Sequence, residues 1–191
     1  FEEVALDSAN NVLLRARELT IQGQNGTLSQ SDRDAIANEI DGLREQLLSI
    51  GNMQNADGEY IFAGTASNAP AYDASGVFQG DAIVRQVNIS KGVSVARGHS
   101  GAEVFEGVNG TLNAFDVLAD LSQALRNDDQ AGVSERFIDV DAATEQLSSV
   151  RTSIGVRMNW IDNQASLNDN FNLDLQRTIS DIQDLDIAEA I

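Results

Sequence analysis

The chain has 191 residues, a formal net charge of −18 and no cysteine. This acidity argues against nucleic acid or a membrane surface as a partner, because phosphate recognition needs clustered Lys and Arg. The absence of cysteine excludes a disulfide framework and thiolate chemistry. Only 5% of the residues are aromatic, so we expect a core of Leu, Ile, Val and Ala. No window is apolar enough to span a bilayer.

The first 56 residues are typical of two amphipathic helices joined by a short loop. In the first helix, over 2–22, apolar residues recur at spacings of three and four. A break around Asn25-Gly26 separates it from a second helix. Because the connection is short, the two helices are predicted to lie antiparallel.

The clearest periodicity is a heptad seam in the second helix, which reappears late in the chain. Apolar residues step by four and three in both stretches, and we expect the two seams to bury each other. The seam residues are Ile36, Ile40, Leu43, Leu47, Ile50, Val133, Phe137, Val140 and Leu147.

Glycines and β-branched residues dominate the middle of the chain. Tyr60–Phe62 and Val84–Ile89 are predicted to be strands, and Lys91-Gly92 is a candidate hairpin turn into Val93–Val95. We therefore predict a small β-rich inserted domain over 57–106. The helical domain is discontinuous and comprises 1–56 and 107–191.

Helical patterning returns after residue 111, first over 112–125 and then over 131–190. At 1.5 Å per residue the last stretch would span roughly 90 Å if it were continuous. The predicted fold class is mainly α with a small β-rich insert, built as an elongated antiparallel helix bundle. Both ends of the sequence fall within helical patterns, so we interpret the chain as the core of a longer protein that has further terminal helices.

No catalytic constellation is apparent. His99, the single histidine, lies beside Ser100 in a near match to the Gly-x-Ser-x-Gly nucleophile elbow, but Ala102 replaces the last glycine. A serine hydrolase also needs a second histidine as its base. We expect this segment to be a loop, with no catalytic residue, no cofactor and no metal.

Acidic residues are abundant enough for chance pairs to be expected. Asp128-Asp129 is predicted to cap the helix that follows it. No calcium-loop pattern and no histidine–carboxylate cluster is present. An enzyme that uses the acidic groups as a cation site remains an alternative of another class.

Several stretches resemble the flagellin family. The first two helices carry the pattern at Leu14–Gln22, Asn25–Thr27 and Ser31–Arg33. The Gly-x-Tyr-x-Phe-x-Gly stretch at Gly58–Gly64 and the segment Ile154–Asn159 are similar to the junction subunits of that family.

The resemblance implies a secreted, non-enzymatic structural subunit in a ring between the flagellar hook and filament. Implied partners are the other junction protein (hook-associated protein 1), flagellin, copies of itself, and an export chaperone that binds a C-terminal part outside this sequence. The implied location is the extracellular bacterial flagellum, reached through the flagellar type III apparatus without a cleaved signal peptide. A flagellin filament subunit is the alternative within the family.

The resemblance also indicates a surface that an innate immune receptor reads in flagellins. The matching positions here are Arg15, Leu19, Gln22 and Glu39. The simpler interpretation is an ordinary helix face with one inward leucine.

Overall fold

The computed structural model describes residues 1–90, 92–107 and 112–189, with the side chains of 183–189 left out. These ranges contain five helices and one two-stranded sheet. In chain order the elements are α1 (Glu2–Gly23), α2 (Gln30–Gly51), β1 (Gln86–Ser90), β2 (Val93–Ala96), α3 (Gly101–Phe105), α4 (Ala114–Arg126) and α5 (Gln130–Glu189). The predicted class, mainly α with a small β part, is confirmed.

Side-chain caps mark where α2, α4 and α5 begin. The Ser29 hydroxyl accepts from the Asp32 backbone N–H, and the Asp32 carboxylate accepts from the Ser29 N–H, which makes a reciprocal capping box for α2. The Asn113 side chain accepts from two N–H groups of α4. The Asp129 carboxylate accepts from the Gly132 N–H at 2.9 Å, so the predicted capping role of this aspartate in α5 is confirmed.

The helical core forms where α2 packs against α4 and against α1. Ile40 and Leu47 of α2 are buried, as are Leu118 and Leu125 of α4. The end of α1 approaches α4 so closely that a Cβ on Gly23 would lie 2.5 Å from a methyl carbon of Leu125. A larger residue at position 23 would require the Leu125 side chain to move.

Half of the aromatic residues meet in one cluster. Tyr72 is its centre, with ring centroids at 4.6 Å from Phe115, 5.3 Å from Phe78 and 5.8 Å from Phe105. Phe62 packs edge-on against Phe105 at 5.4 Å. These offset and edge-on arrangements are the favourable ones for aromatic rings. The cluster therefore fastens the glycine-rich middle of the chain to α3 and α4.

The predicted strand at Tyr60–Phe62 is wrong. Tyr60 makes one isolated bridge to Gln54, and the chain then turns so that the Phe62 ring enters the aromatic cluster. The helix α3 was not predicted; it is five residues long and begins where the Ser100 hydroxyl caps the Glu103 N–H.

The later strands are close to those predicted, as β1 and β2. The predicted hairpin turn involves Lys91, which lies outside the described residues, while Gly92 has a positive φ of 80°. The predicted boundary near Asn109–Thr111 also lies outside them.

The chain forms two compact units. One comprises residues 1–86 and 96–152, and the other comprises residues 87–95 together with the end of the chain from 153. The inserted domain over 57–106 stays a prediction.

We expect Leu47→Ala to lower the free energy of unfolding by about 2–5 kcal/mol, because the Leu47 side chain is fully buried. Leu43→Ala is the matched control: it makes the same change on the same helix at a half-buried position, so it should cost less. Urea titrations of both variants test this. Equal losses would contradict the assignment of Leu47, rather than Leu43, to the buried face of α2.

Candidate assembly surface

The first half of α5 is ion-paired to α1 in an antiparallel arrangement. Asp141 pairs with Arg17 at 2.5 Å, and Arg151, further along α5, pairs with Asp7, nearer the start of α1. The Arg17 guanidinium also lies 5.3 Å from the centre of the Phe137 ring. Exposed ion pairs contribute little stability. The two ion pairs do show that α1 and the first half of α5 run antiparallel.

One row of residues on α5 repeats at intervals of seven. Its members are Val133, Val140, Leu147, Ile154, Ile161, Asn168, Leu175 and Ile182. A strict seven-residue repeat keeps a single seam facing a partner helix when the two helices supercoil left-handedly. We call these eight positions the α5 row.

Burial changes halfway along the α5 row. The members from Val133 to Leu147 are buried, and Ile154 is 9% exposed. Beyond it Ile161 is 38% exposed, Leu175 44% and Ile182 64%. Phe171 and Ile179, which flank the later members, are exposed as well. The later half of the α5 row thus exposes several apolar side chains, and an exposed apolar patch is a candidate interaction site.

A polar pair interrupts this exposed half. Asn168 is the single polar member of the α5 row, and its side-chain oxygen accepts a hydrogen bond from the Gln164 amide at 3.2 Å. Gln164 lies one helical turn earlier, on the same face. The polar position at Asn168 is visible in the sequence, because the seven-residue spacing of the row continues beyond it to Ile182.

The predicted seam residues differ in burial. Ile40, Leu47 and Ile50 of α2 are buried, whereas Ile36 and Leu43 are half-buried. On α5, Val133, Val140 and Leu147 are buried and Phe137 is half-buried. Mutual burial of the two seams stays a prediction.

His99 and Ser100 occupy structural positions. The His99 ring nitrogen Nδ1 lies 2.6 Å from the Glu2 carboxylate, and the His99 backbone N–H donates to the same oxygen. Both side chains are largely buried. The Ser100 hydroxyl accepts from the Glu103 N–H as the cap of α3.

A second polar network holds the glycine-rich segment to the base of the hairpin. The Glu59 carboxylate pairs with Arg85 at 2.9 Å and with Arg97 at 3.2 Å, and it also accepts from the Asn55 amide. These bonds, above all the one from Arg85, lower the pKa of Glu59 to about 2. Sequence reasoning missed this network, since its members are up to 42 residues apart (97 − 55).

The described ranges contain no group of three or more His, Cys, Asp or Glu side chains placed to hold a metal ion. None of the helices in this part of the chain has both the length and the apolar character needed to cross a bilayer.

The family model for the bacterial flagellin N-terminal helical region matches residues 1–67. The chain is 29% identical to flagellar hook-associated protein 3 of Escherichia coli, over 97% of this chain and 65% of that protein. The corresponding protein of Salmonella typhimurium is 34% identical over 59% of this chain and 35% of its own length. A solved flagellar hook-associated protein from Vibrio parahaemolyticus superposes with a TM-score of 0.87 at 25% identity, covering 94% of this chain and 83% of its own.

The chain is thus similar to the flagellin N-terminal helical region over its first 67 residues and to hook-associated protein 3 over most of its length. It spans less than two thirds of the length of the two hook-associated relatives.

Three of the four residues of the predicted receptor surface, on α1 and α2, are exposed. Arg15 and Glu39 meet at 2.7 Å, across the interface between α1 and α2, and Gln22 is exposed. Leu19 is only 1% exposed, so its side chain is not available to a receptor in this fold. Recognition by the host receptor stays a prediction, which a binding assay with micromolar protein tests.

We expect Glu59→Gln to destabilise the protein at neutral pH, because it removes the charge that Arg85 and Arg97 face. A lowered carboxylate pKa contributes stability above the unfolded value, 4.5, and loses it as the pH falls through about 2. The gap in unfolding free energy between wild type and variant should therefore be constant near pH 7 and shrink below pH 4.5.

Denaturant titrations at a series of pH values measure this gap. Asp57→Asn, which removes an exposed carboxylate two residues away, is the control and should show a much smaller gap. A Glu59→Gln gap that does not depend on pH would contradict the assignment.

Proposed function

We propose that this chain is part of a structural subunit of the bacterial flagellum, placed at the junction between hook and filament, and that it is not an enzyme. The observation that carries the proposal is the α5 row, whose apolar pattern continues beyond its buried half into an exposed one. The names of the similar proteins support the location at the hook.

Assembly through a continuous helical seam suits such a subunit. Aligned helices buried along a shared seam transmit torque without bending at a hinge. A helix with an exposed apolar stripe gains stability when a second helix covers it, since most helical stability comes from tertiary packing. The exposed half of the α5 row is therefore proposed to become buried only in the assembled flagellum.

The partners follow from the junction role. They are hook-associated protein 1 on the hook side, flagellin on the filament side, and copies of the same subunit in a ring. Export through the flagellar type III apparatus, with a chaperone bound to a C-terminal part outside this sequence, would deliver the subunit to the extracellular flagellum.

A filament-forming flagellin is the alternative within the family. The glycine-bracketed stretch with Tyr60 and Phe62 favours the junction subunit, and Phe62 has a definite structural role in the aromatic cluster.

Structural roles for the candidate nucleophile support a non-enzymatic subunit. Ser100 caps α3 and His99 is bonded to Glu2, so neither is placed as a nucleophile–base pair. The alternative of an acidic cation-binding enzyme predicts heat on calorimetric titration with divalent metal ions at micromolar protein.

Deletion of the gene that encodes this chain should leave cells with hooks but without filaments, and with flagellin released into the medium. The complete gene should restore filaments and swimming. The variant Leu175→Lys should fail to restore them, because it places a charge in the α5 row.

Leu173→Lys is the matched control, because Leu173 is similarly exposed on α5 but does not belong to the α5 row. It should restore motility. Filaments of normal length in the deletion strain would reject the junction role, and equal behaviour of the two lysine variants would reject the α5 row as the assembly surface.

A further inference from the structure

An Asn-Gly pair lies on the loop between α1 and α2, at a fully accessible position. Asn25 and Gly26 are both exposed. The backbone nitrogen that follows an asparagine can attack the carbonyl carbon of the asparagine side chain and close a five-membered imide ring. A glycine at the second position has no side chain to obstruct this attack. The loop thus presents the dipeptide in which ring closure meets the least steric resistance.

The fold does not require the glycine at position 26. Gly58 and Gly76 have positive φ values of 77° and 89°, which favour glycine. The backbone of Gly26 lies outside that left-handed region, and a Cβ built on it meets no atom within 4 Å. Alanine would therefore fit at this position. The unhindered nitrogen beside Asn25 has no counterpart in the packing that would explain it.

Thr27 donates two hydrogen bonds to the side-chain oxygen of Asn25. Its backbone N–H lies 3.2 Å from Asn25 Oδ1, and its hydroxyl oxygen lies 2.8 Å from the same atom. Oδ1 becomes an oxyanion when a nitrogen adds to Cγ, and donors already aimed at a developing charge lower the barrier. Within the described ranges the Gly26 N–H donates to no acceptor, so no hydrogen bond opposes the loss of its proton.

We propose that Asn25 is a site of spontaneous deamidation, in which Gly26 supplies the attacking nitrogen and Thr27 stabilises the oxyanion. The bond that forms joins Gly26 N to Asn25 Cγ, and the bond that breaks is Cγ–Nδ2. Nδ2 leaves as ammonia and takes up the proton that the Gly26 nitrogen loses. Solvent water then opens the imide at either of its two carbonyls, and the product is aspartate or isoaspartate.

The modification changes a loop through which several hydrogen bonds connect α1 to α2. The Asn25 N–H donates to Gln22 O, and the Leu28 N–H donates to Asn25 O, each at 3.1 Å. Leu28 O in turn accepts from the guanidinium of Arg33, a largely buried residue, at 2.8 Å. Both products add a negative charge to the loop. Isoaspartate also inserts a methylene group into the backbone, which displaces these hydrogen bonds.

The test follows the modification in the 191-residue protein, incubated at mildly alkaline pH either folded or in concentrated urea. Mass spectrometry of proteolytic peptides measures deamidation, and labelling with an isoaspartate-specific methyltransferase identifies isoaspartate. The chain contains the same four residues twice, at Asn25–Leu28 and at Asn109–Leu112. In urea, Asn109 therefore provides the rate of the same local sequence without the fold.

Folded wild-type protein should form aspartate and isoaspartate at Asn25 no more slowly than it does in urea. Thr27→Val should slow the reaction of the folded protein about fivefold, the rate equivalent of one ordinary hydrogen bond, and should have no effect in urea. Thr27→Ser keeps the hydroxyl and should react like wild type. Gly26→Ala should nearly stop the reaction in both conditions.

Asn55 is the matched control within the chain. Its side-chain oxygen also accepts two hydrogen bonds, from the N–H groups of Asp57 at 2.9 Å and Glu59 at 3.0 Å, but the next residue is Ala56. It should stay unmodified while Asn25 reacts.

An Asn25 that stays intact in the folded protein would overturn the proposal, whether or not it reacts in urea. Deamidation of Asn55 as fast as that of Asn25 would overturn the role of Gly26. Equal rates for folded Thr27→Val and folded wild type, or a slow Thr27→Ser, would overturn the role of the Thr27 hydroxyl.

Discussion

Burial of the apolar α5 row is the constraint on which the long helix of this chain depends. Val133, Val140 and Leu147 are buried on the stretch that is ion-paired to α1. A helix with no tertiary support is marginal in water, even when its residues have good helix propensity. The members further along, Ile161, Leu175 and Ile182, lack this burial. In the proposed assembly, the same repeat would serve both the fold and the association.

The middle of the chain is held by a different kind of interaction. It contains little regular structure, and its position is fixed by the aromatic cluster around Tyr72 and by the Glu59 network. With aromatics making up 5% of the chain, the concentration of five of them in one place gives this glycine-rich segment a core. The aromatic cluster and the pairs of Glu59 with Arg85 and Arg97 therefore position this segment.

Local patterns sufficed to predict α1, α2, α4 and α5, because an apolar spacing of three and four is a property of each segment alone. They failed at Tyr60–Phe62, where alternating aromatics are typical of a strand but the Phe62 ring is drawn into a distant cluster. They could not predict α3, which is too short to show a period. They indicated Arg15 and Glu39 together only through a family resemblance, and they gave no sign that Glu59 would meet Arg85 and Arg97, since long-range pairing leaves no local pattern.

The half-exposed row also has a thermal consequence. Covering Ile161, Leu175 and Ile182 removes apolar surface from water, and this gives association a negative change in heat capacity. Hydrophobic association of this type weakens on cooling. If the α5 row is the assembly surface, the association is therefore strongest at an intermediate temperature and weakens in the cold. The temperature range over which this association is stable would then depend on the apolar area of the α5 row. Asn168, the single polar member of the row, reduces that area.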